Sequence, residues 1–460
     1  MKMSFIVSFV AFIFILICLT FTLGCQNGET QNDNDVDNIK NTTQSSTKDT
    51  PSQSYQFRSN ELEKYVIVYS GNNVDYYRLA LKLETQIYAK YQKRLSTLRD
   101  TNSEPAKYEI LLGDTNRDDS LGRVMEYSVV VDDGKLKINA GGAFSAEEAV
   151  NYLCENLFNG EAFALDGGEY CGKSFLTSSS KITDGACARV MSSNILADKF
   201  SSNSSKSANY RAEIFAGMLI SYTPDVLGLQ ELDEQWDTAL DDYLIKIKKI
   251  YGLSYSKQMN VFEGKINYTS LLYRSDKLKA EDSGVKVFSW WESGGFNHNY
   301  HMRNVTWARF SFLEDEDKSF IVANTHWSYR TEHADGKTYL LGSDTPIAVD
   351  ELRMQCKNET SEFLTALRQT YLDTPMFLTG DFNTSLVFFT QSDWAPSSFE
   401  VISEEAKANG TALSTVPTSG HFDHIFGTGS YSVCRYEFFS EVNQHSLLTD
   451  HPFVYADLIF

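Results

Sequence analysis

The sequence predicts an α+β protein built in two unequal parts. Three observations carry this. Residues 26–58 ("QNGETQNDNDVDNIKNTTQSSTKDTPSQSYQ" and onward) lack apolar periodicity and mark a compositional break. A short block over 59–182 then mixes period-2 and period-3.6 apolar patterns. From residue 186 to 460 strand-like runs alternate with helical ones, and the runs end on polar side chains.

The chain opens "MKMSFIVSFVAFIFILICLTFTLGC", one lysine followed by an uncharged apolar run and Gly24-Cys25. This resembles a secretory signal whose Thr-Leu-Gly-Cys end resembles a bacterial lipobox, with Cys25 as lipid anchor. The run is also nearly the ~20 residues that span a bilayer, so a retained anchor over 1–25 is the alternative. Both orient the body outside the cytoplasm, with Lys2 before the run and "ETQNDNDVD" after it. Residues 26–58, rich in Asn, Asp, Ser and Thr, read as a solvated, disordered tether.

In the small α+β unit, "YVIVYS" and "YEILLG" read as strands, and "YSVVVDDGKLKINA" as a hairpin turning at Asp-Gly. Tyr76, Leu79, Leu83, Ile87 and Tyr91 fall near helical spacing, and "SAEEAVNYLCENLF" is a second helix with Ser145 as cap and Glu148 three residues on. This order, with "EILLGDTNR", looks like the small accessory domains ahead of some glycoside hydrolases; a packing or spacer module is the favoured role.

In the larger part "ARVMSSNIL", "DVLGLQEL", "YTSLLYR", "RNVTWARFSF", "FIVANTHW", "PMFLTGDFN", "FDHIFGTG" and "HPFVYADL" read as strands. "NYRAEIFAGMLISY" and "ELRMQCKNETSEFLTALRQTY" read as helices. Each of several strands terminates in an acid, an amide or an imidazole: Asn194, Glu231, Asn324 with His326, Asp381 with Asn383, Asp423, and Asp450-His451. Side chains two apart on a strand share a face, so Asp381 and Asn383 point the same way. Gly380 is expected to turn the backbone tightly before them.

The order Asn, QE, NTH, GDFN, Asp-His-Ile-Phe, DHP resembles the endonuclease/exonuclease/phosphatase family over about 186–460. That resemblance implies a two-sheet β-sandwich flanked by helices, and phosphoester hydrolysis assisted by Mg2+ or Mn2+. It implies Glu231 as main metal ligand with Asn194 beside it and Asp450 completing the metal environment. Asp381 would orient the attacking water, and Asn383 would donate to phosphate oxygens. His451, held by Asp423, would contact phosphate or shuttle a proton, while His326 would donate to a non-bridging oxygen or the leaving group. Asn324, Arg303 and Arg353 would bind substrate, and Arg211 also sits where the family tends to carry arginines. Hard oxygen ligands suit such a cation, which draws charge off a phosphodiester that otherwise repels nucleophiles.

Departures narrow the branch. The position two residues after Asn194 is Leu196, unlike the carboxylate of abasic-site endonucleases. "GDFNTSLVFF" and "HFDHIF" lack the arginine and Trp-x-Asp-Arg motif of inositol-polyphosphate 5-phosphatases. Secreted nucleases, sphingomyelinase-like phospholipases and deadenylase-like enzymes remain.

The chain carries 41 Lys and Arg against 61 Asp and Glu, a formal net charge of −20. Such a surface disfavours tracking along nucleic acid or an anionic membrane. The expected substrate is therefore a small phosphodiester or lipid headgroup, with nucleic acid as the alternative. No obligate protein partner is evident. A surface binding protein with a vestigial phosphoesterase domain is the non-enzymatic rival, but Glu231, Asp381, Asn383 and His451 are all present. The segment 329–351 after NTHW is long for a connection and is expected to shape specificity. His298, His301, His421, His424 and His445 are expected at the surface or in loops, and Trp290, Trp291 and Trp327 as packed aromatics, with the border of a substrate cleft as the alternative. Five cysteines follow residue 25, an odd count that makes no disulfide framework; unpaired buried thiols are expected, with a Cys154–Cys171 bridge as the alternative.

Overall fold

The structure, a computed structural model, describes residues 56–460 except 72–73, 118–121, 133, 159–163, 167–168, 174–180, 200–205, 290–301, 329–337, 340–345, 348, 386–398, 415–420 and 440–447. The segments 1–25 and 26–55, with Cys25, lie outside the described residues, as do His298, His301, His445, Trp290, Trp291 and most of 329–351. Among the described residues no helix is long and apolar enough to cross a membrane.

Three six-stranded sheets organise the fold, and their strands are numbered here. The first comprises β1 (Val66–Tyr69), β2 (Thr97–Arg99), β3 (Glu109–Leu112), β4 (Glu126–Asp132), β5 (Lys135–Ala140) and β6 (Glu169–Lys173), in the order β2-β1-β3-β5-β4-β6. Helix α1 (Val74–Tyr91) buries Tyr76, Leu79, Leu83 and Ile87, the positions its periodicity marks. The β4–β5 hairpin pairs Asp132 with Lys135, and Gly134 supplies the left-handed φ of +77° that the turn requires. Helix α2 (Ala143–Tyr152) starts earlier than expected. Its cap is Gly142, and Ser145 stands three residues in, its hydroxyl accepting the Gly142 N–H at 3.2 Å. Cys154 is a free thiol, so the Cys154–Cys171 bridge is not formed.

The second sheet runs β9 (Tyr255–Gln258), β10 (Leu271–Arg274), β8 (Val226–Gln230), β7 (Ala188–Asn194), β18 (Phe453–Ile459), β17 (Ser432–Phe439). The third runs β11 (Leu278–Val287), β12 (Asn304–Phe312), β13 (Asp315–His326), β14 (Met376–Asp381), β16 (Asp423–Thr428), β15 (Glu400–Val401). They pack face to face around Val190, Val226, Leu271, Phe310, Phe320, Val322, Phe377 and Ile425, all essentially without solvent exposure. The outer face of the second sheet is covered by α3 (Ala208–Tyr222) and α4 (Glu234–Tyr251), through Met191, Leu227, Leu229, Phe215 and Trp236. Helix α5 (Val349–Thr370) covers the third sheet through Leu352, Cys356 and Leu364. The chain from 188 onward is thus a two-sheet sandwich between helices.

Two parallel pairings align the strand ends that matter. In the second sheet β7 and β8 run parallel with Asn194 opposite Gln230. In the third, β13 and β14 run parallel with His326 opposite Asp381, and β16 runs antiparallel with Asp423 opposite Asp381. Carboxyl ends of parallel strands gather at one edge of the sandwich, where residues from both sheets meet.

Candidate active site

At that edge a polar chain runs from one sheet to the other. Asn194 Nδ2 donates to Glu231 Oε1 at 3.1 Å and to Asp381 Oδ2 at 3.0 Å. Asp381 Oδ2 also lies 3.3 Å from His326 Nε2 and 3.7 Å from His451 Nε2. The far side of His451 is anchored by Asp423, Nδ1 to Oδ2 at 2.8 Å. Glu231, Asn194, Asp381, His326, His451 and Asp423 therefore form one contiguous cluster. Asp450 is exposed beside it.

Local backbone geometry presents these groups. Glu231 and Asn383 adopt left-handed φ values of +66° and +50°, uncommon for non-glycine residues. Each follows a buried strand and turns the backbone there, so the strain sits under the chemical groups themselves. Gly380 contributes differently from expectation. It lies within β14, and a Cβ there would meet the Thr325 carbonyl oxygen at 2.5 Å, so it permits close strand approach rather than a turn.

Electrostatics divide the labour. Asp381, though fully buried, is held well below the usual carboxylate range by the charge of His451 and by bonds from His326 and Asn194, so it stays ionised. Burial, then the neighbouring Arg303 charge, lowers the His326 imidazole, leaving it neutral. His451 is pushed well above the ordinary imidazole range because Asp423, Asp381 and Asp450 face it. Asp423 is raised by desolvation, and the pair holds one proton between its ring nitrogen and carboxylate.

Oxygen acceptors gather at the edge in the manner a hard divalent cation favours. One ligand atom each from Asp381, Asp423 and His451 lie within 4.8 Å of one another, and Asp423 Oδ1 is a buried acceptor without a hydrogen bond. Glu231, half-buried, takes the Ala197 N–H at 2.9 Å on Oε2 and keeps further lone pairs facing the edge. Asn194 turns its amide NH2 between the two carboxylates and accepts the Leu196 N–H on Oδ1 at 3.0 Å, leaving one oxygen lone pair for a cation.

One expected substrate contact, Asn324, is placed between the sheets, while Arg353 and Arg303 stay close to the cluster. Asn324 is completely buried: its Oδ1 accepts from Gln230 at 2.6 Å and Thr379 at 3.1 Å, and its Nδ2 donates to Leu229 O at 2.7 Å and Ser270 O at 3.1 Å. All four of its hydrogen-bonding positions are used, so it is corrected from substrate contact to a tie between the sheets. Arg353 gives Nε to the Ser328 carbonyl at 3.2 Å, just beyond the NTH strand end. Arg303, nearly buried, reaches the His326 carbonyl at 3.5 Å and stays beside the cluster. Asn383 spends one amide N–H on Trp327 O at 2.8 Å and retains the other. Trp327 is packed edge-on against Phe382, as expected.

His421 and His424, expected at the surface, are buried against Phe438 and Phe382. Sequence reasoning also missed the buried polar layer between the sheets, Asn267, Thr269, Asn304 and Thr306, joined by Asn267 Nδ2 to Thr306 Oγ1 at 2.7 Å. Asn304 and Thr306 are polar positions in the otherwise apolar β12, and Asn267 and Thr269 lie in the turn before β10, which carries no sequence signal for burial. Thr449, whose hydroxyl donates to Asn194 O at 2.7 Å and accepts the His451 N–H at 3.2 Å, was likewise missed.

A sandwich whose strand ends gather carboxylates, amides and imidazoles at one edge defines a hydrolase class that works on charged esters. The family model described as "Endonuclease/Exonuclease/phosphatase family" matches residues 191–451, more than half of the chain. The chain belongs to the endonuclease/exonuclease/phosphatase family and is a phosphoesterase of that family. Solved structures similar to it include an endonuclease/exonuclease/phosphatase from Bacteroides vulgatus (21% identity, 59% of this chain and 98% of that one, TM-score 0.44). A mannosyl-6-phosphatase from Bacteroides thetaiotaomicron is similar at 19% identity over 60% of this chain and 100% of that one, TM-score 0.43. The human Nocturnin catalytic domain with bound sulfate is similar at 17% identity over 61% of this chain and 96% of that one, TM-score 0.43. No curated protein matches the chain.

Proposed function

We propose that this protein is an extracytoplasmic, Mg2+- or Mn2+-dependent hydrolase that recognises one phosphate group and its immediate substituents, in a small phosphodiester or a lipid headgroup. The observation that carries the chemistry is Asp381, ionised and wedged between Asn194, His326 and His451 with Glu231 one amide away. A divalent cation held by Glu231, with Asn194 Oδ1 beside it and the exposed Asp450 on the His451 side, would neutralise phosphate charge. Asp381 orients the attacking water and takes its proton directly as attack proceeds. Asn383 donates its remaining amide N–H to a non-bridging oxygen. His451, kept in one orientation by Asp423, delivers a proton where charge builds, and His326 adds an N–H on the other side. Arg303 adds fixed positive charge behind His326.

The substrate class rests on charge. Polymer tracking needs several Lys and Arg to displace counterions, and this chain has a formal charge of −20. Location outside the cytoplasm rests on the first 25 residues, through a lipidated Cys25 or a retained span.

The test is a panel of bis(4-nitrophenyl) phosphate, sphingomyelin, phosphoinositides, RNA and plasmid DNA with Mg2+. Hydrolysis of a small phosphodiester or headgroup at least as fast as DNA, with a shallow salt slope, supports the reading. Fast plasmid degradation losing ~10³-fold between about 50 and 200 mM salt would hand the assignment to a secreted nuclease.

A further inference from the structure

Helix α3 carries two buried charges two residues apart, Arg211 and Glu213. Residues so spaced project about 200° apart around a helix, so the two groups face opposite ways. Arg211 faces the active site. Its Nη1 donates to Ile195 O at 3.0 Å, Leu196 O at 2.7 Å and Leu448 O at 3.0 Å. Those carbonyls belong to the two loops that carry the chemistry, one leaving Asn194 and one leading to Asp450 and His451. Trp236 Nε1 supports the same place by donating to Leu196 O at 2.9 Å.

Glu213 faces the N-terminal sheet. Its carboxylate is completely buried and accepts the Met125 N–H at 3.0 Å, the Ser145 N–H at 3.0 Å and the Ser145 hydroxyl at 2.6 Å. Every donor comes from the N-terminal part. The approach is close enough that a Cβ on Gly142 would meet the Tyr243 hydroxyl at 1.9 Å and Glu213 Oε2 at 2.6 Å. The same helix is gripped at its start, where Ser207 bonds Asp75 and the Tyr210 hydroxyl donates to Glu147 at 2.8 Å. Lys246 of α4 reaches Asp114 at 2.7 Å and Gly141 O at 2.6 Å. Val124, Met125, Ala143 and Phe144 complete the apolar core of α3 and α4.

Apolar burial alone would suffice to glue two layers together. A buried carboxylate costs desolvation and returns directional bonds, which set the position of what they hold. We propose that the N-terminal part is a positioning element of the active site: Glu213 fixes α3, and Arg211 on the same helix fixes the Asn194 and His451 loops. Glu213 is thus a positioning residue for the hydrolysis proposed above, on which this inference rests.

The test uses the full chain with Glu213→Gln and, as the milder change, Ser145→Ala, which removes the hydroxyl's bond to Glu213 and its contact with the Gly142 N–H while leaving the carboxylate its two backbone donors. Hydrogen exchange by mass spectrometry follows peptides covering 194–198 and 448–451, with the β11–β12 ladder as internal control. Exchange in both loops should accelerate about tenfold in Glu213→Gln, the size of one lost charge-assisted bond, and less in Ser145→Ala, with β11–β12 unchanged. On bis(4-nitrophenyl) phosphate kcat should fall by a similar factor, with KM within about twofold. Loops that exchange at the wild-type rate, in a variant whose Tm has dropped, would overturn the proposal and leave Glu213 as mere glue. If Glu213→Gln does not fold, Ser145→Ala decides by the same readouts. If wild type hydrolyses nothing in the panel, the proposed function fails, while loop exchange still decides this inference.

Discussion

Replacing Asn324 by leucine, its near-isostere, separates a structural tie from a substrate contact. The change deletes four hydrogen bonds that join β13 to β8, to the residue before β10, and to β14. Three of the four partners keep another bond. Gln230 Nε2 retains Ser192 Oγ at 3.2 Å, Thr379 Oγ1 retains Ala323 O at 3.1 Å, and Ser270 O retains the Leu229 N–H at 3.0 Å. At a net worth of about 1 kcal/mol per bond, the expected loss is about 3–4 kcal/mol. With an unfolding entropy of about 2.1 cal/mol/K per residue over roughly 400 residues, that is about 4 °C in Tm. Calorimetry gives the Tm, and initial rates at 25 °C give kcat/KM, which should stay within about threefold of wild type because the side chain never reaches the cleft. An unchanged Tm with kcat/KM down tenfold or more would refute the reasoning and return Asn324 to the substrate.

Asp381→Asn should lower kcat by at least ~10²-fold with the far-ultraviolet spectrum unchanged, since it removes the group that orients water. Exhaustive chelation should abolish hydrolysis and added Mg2+ or Mn2+ restore it; activity that survives chelation would contradict the metal reading. His424, buried and neutral, has its pKa lowered by desolvation to about 4. The unfolded chain therefore takes up this proton first as pH falls, and stability is lost between about pH 6.5 and 4, by about 3 kcal/mol for this group. His424→Phe should flatten that part of the Tm–pH curve; parallel curves for variant and wild type would show that the imidazole does not control it. Cys25→Ala should move the protein out of membrane fractions if Cys25 is lipidated, whereas retention with the apolar segment intact identifies a spanning anchor.

The strand-end residues were legible because each is a local signal: a buried run followed within two residues by a polar group, as in VLGLQE and MFLTGDFN. What those residues touch was not, since Asn324 and Asp381 find their partners across the gap between two sheets. The edge strand β11 went unread because LKAEDSGVKV is half-exposed and carries charge where alternation was sought. Ser145 was read as a cap from its spacing to Glu148, but docking of Gly142 against Tyr243 starts the helix three residues sooner. His421 and His424 flank an aspartate in a short run, and their burial is decided by Phe438 and Phe382 from distant segments.

The left-handed backbone at Glu231 and Asn383 has a bearing on how this protein would respond to selection. A glutamate in that conformation costs about 1 kcal/mol that a glycine would not, and asparagine tolerates it better than most side chains. A library screened only for heat tolerance should therefore accumulate glycine or asparagine at position 231, and under the proposed mechanism each such winner would have lost its metal ligand. A screen that demands turnover should keep the acid and gather its gains elsewhere. A position improvable by thermal criteria is thus one the proposed enzyme cannot give up, and resistance to glycine at 231 becomes a measure of whether a lineage still uses the site.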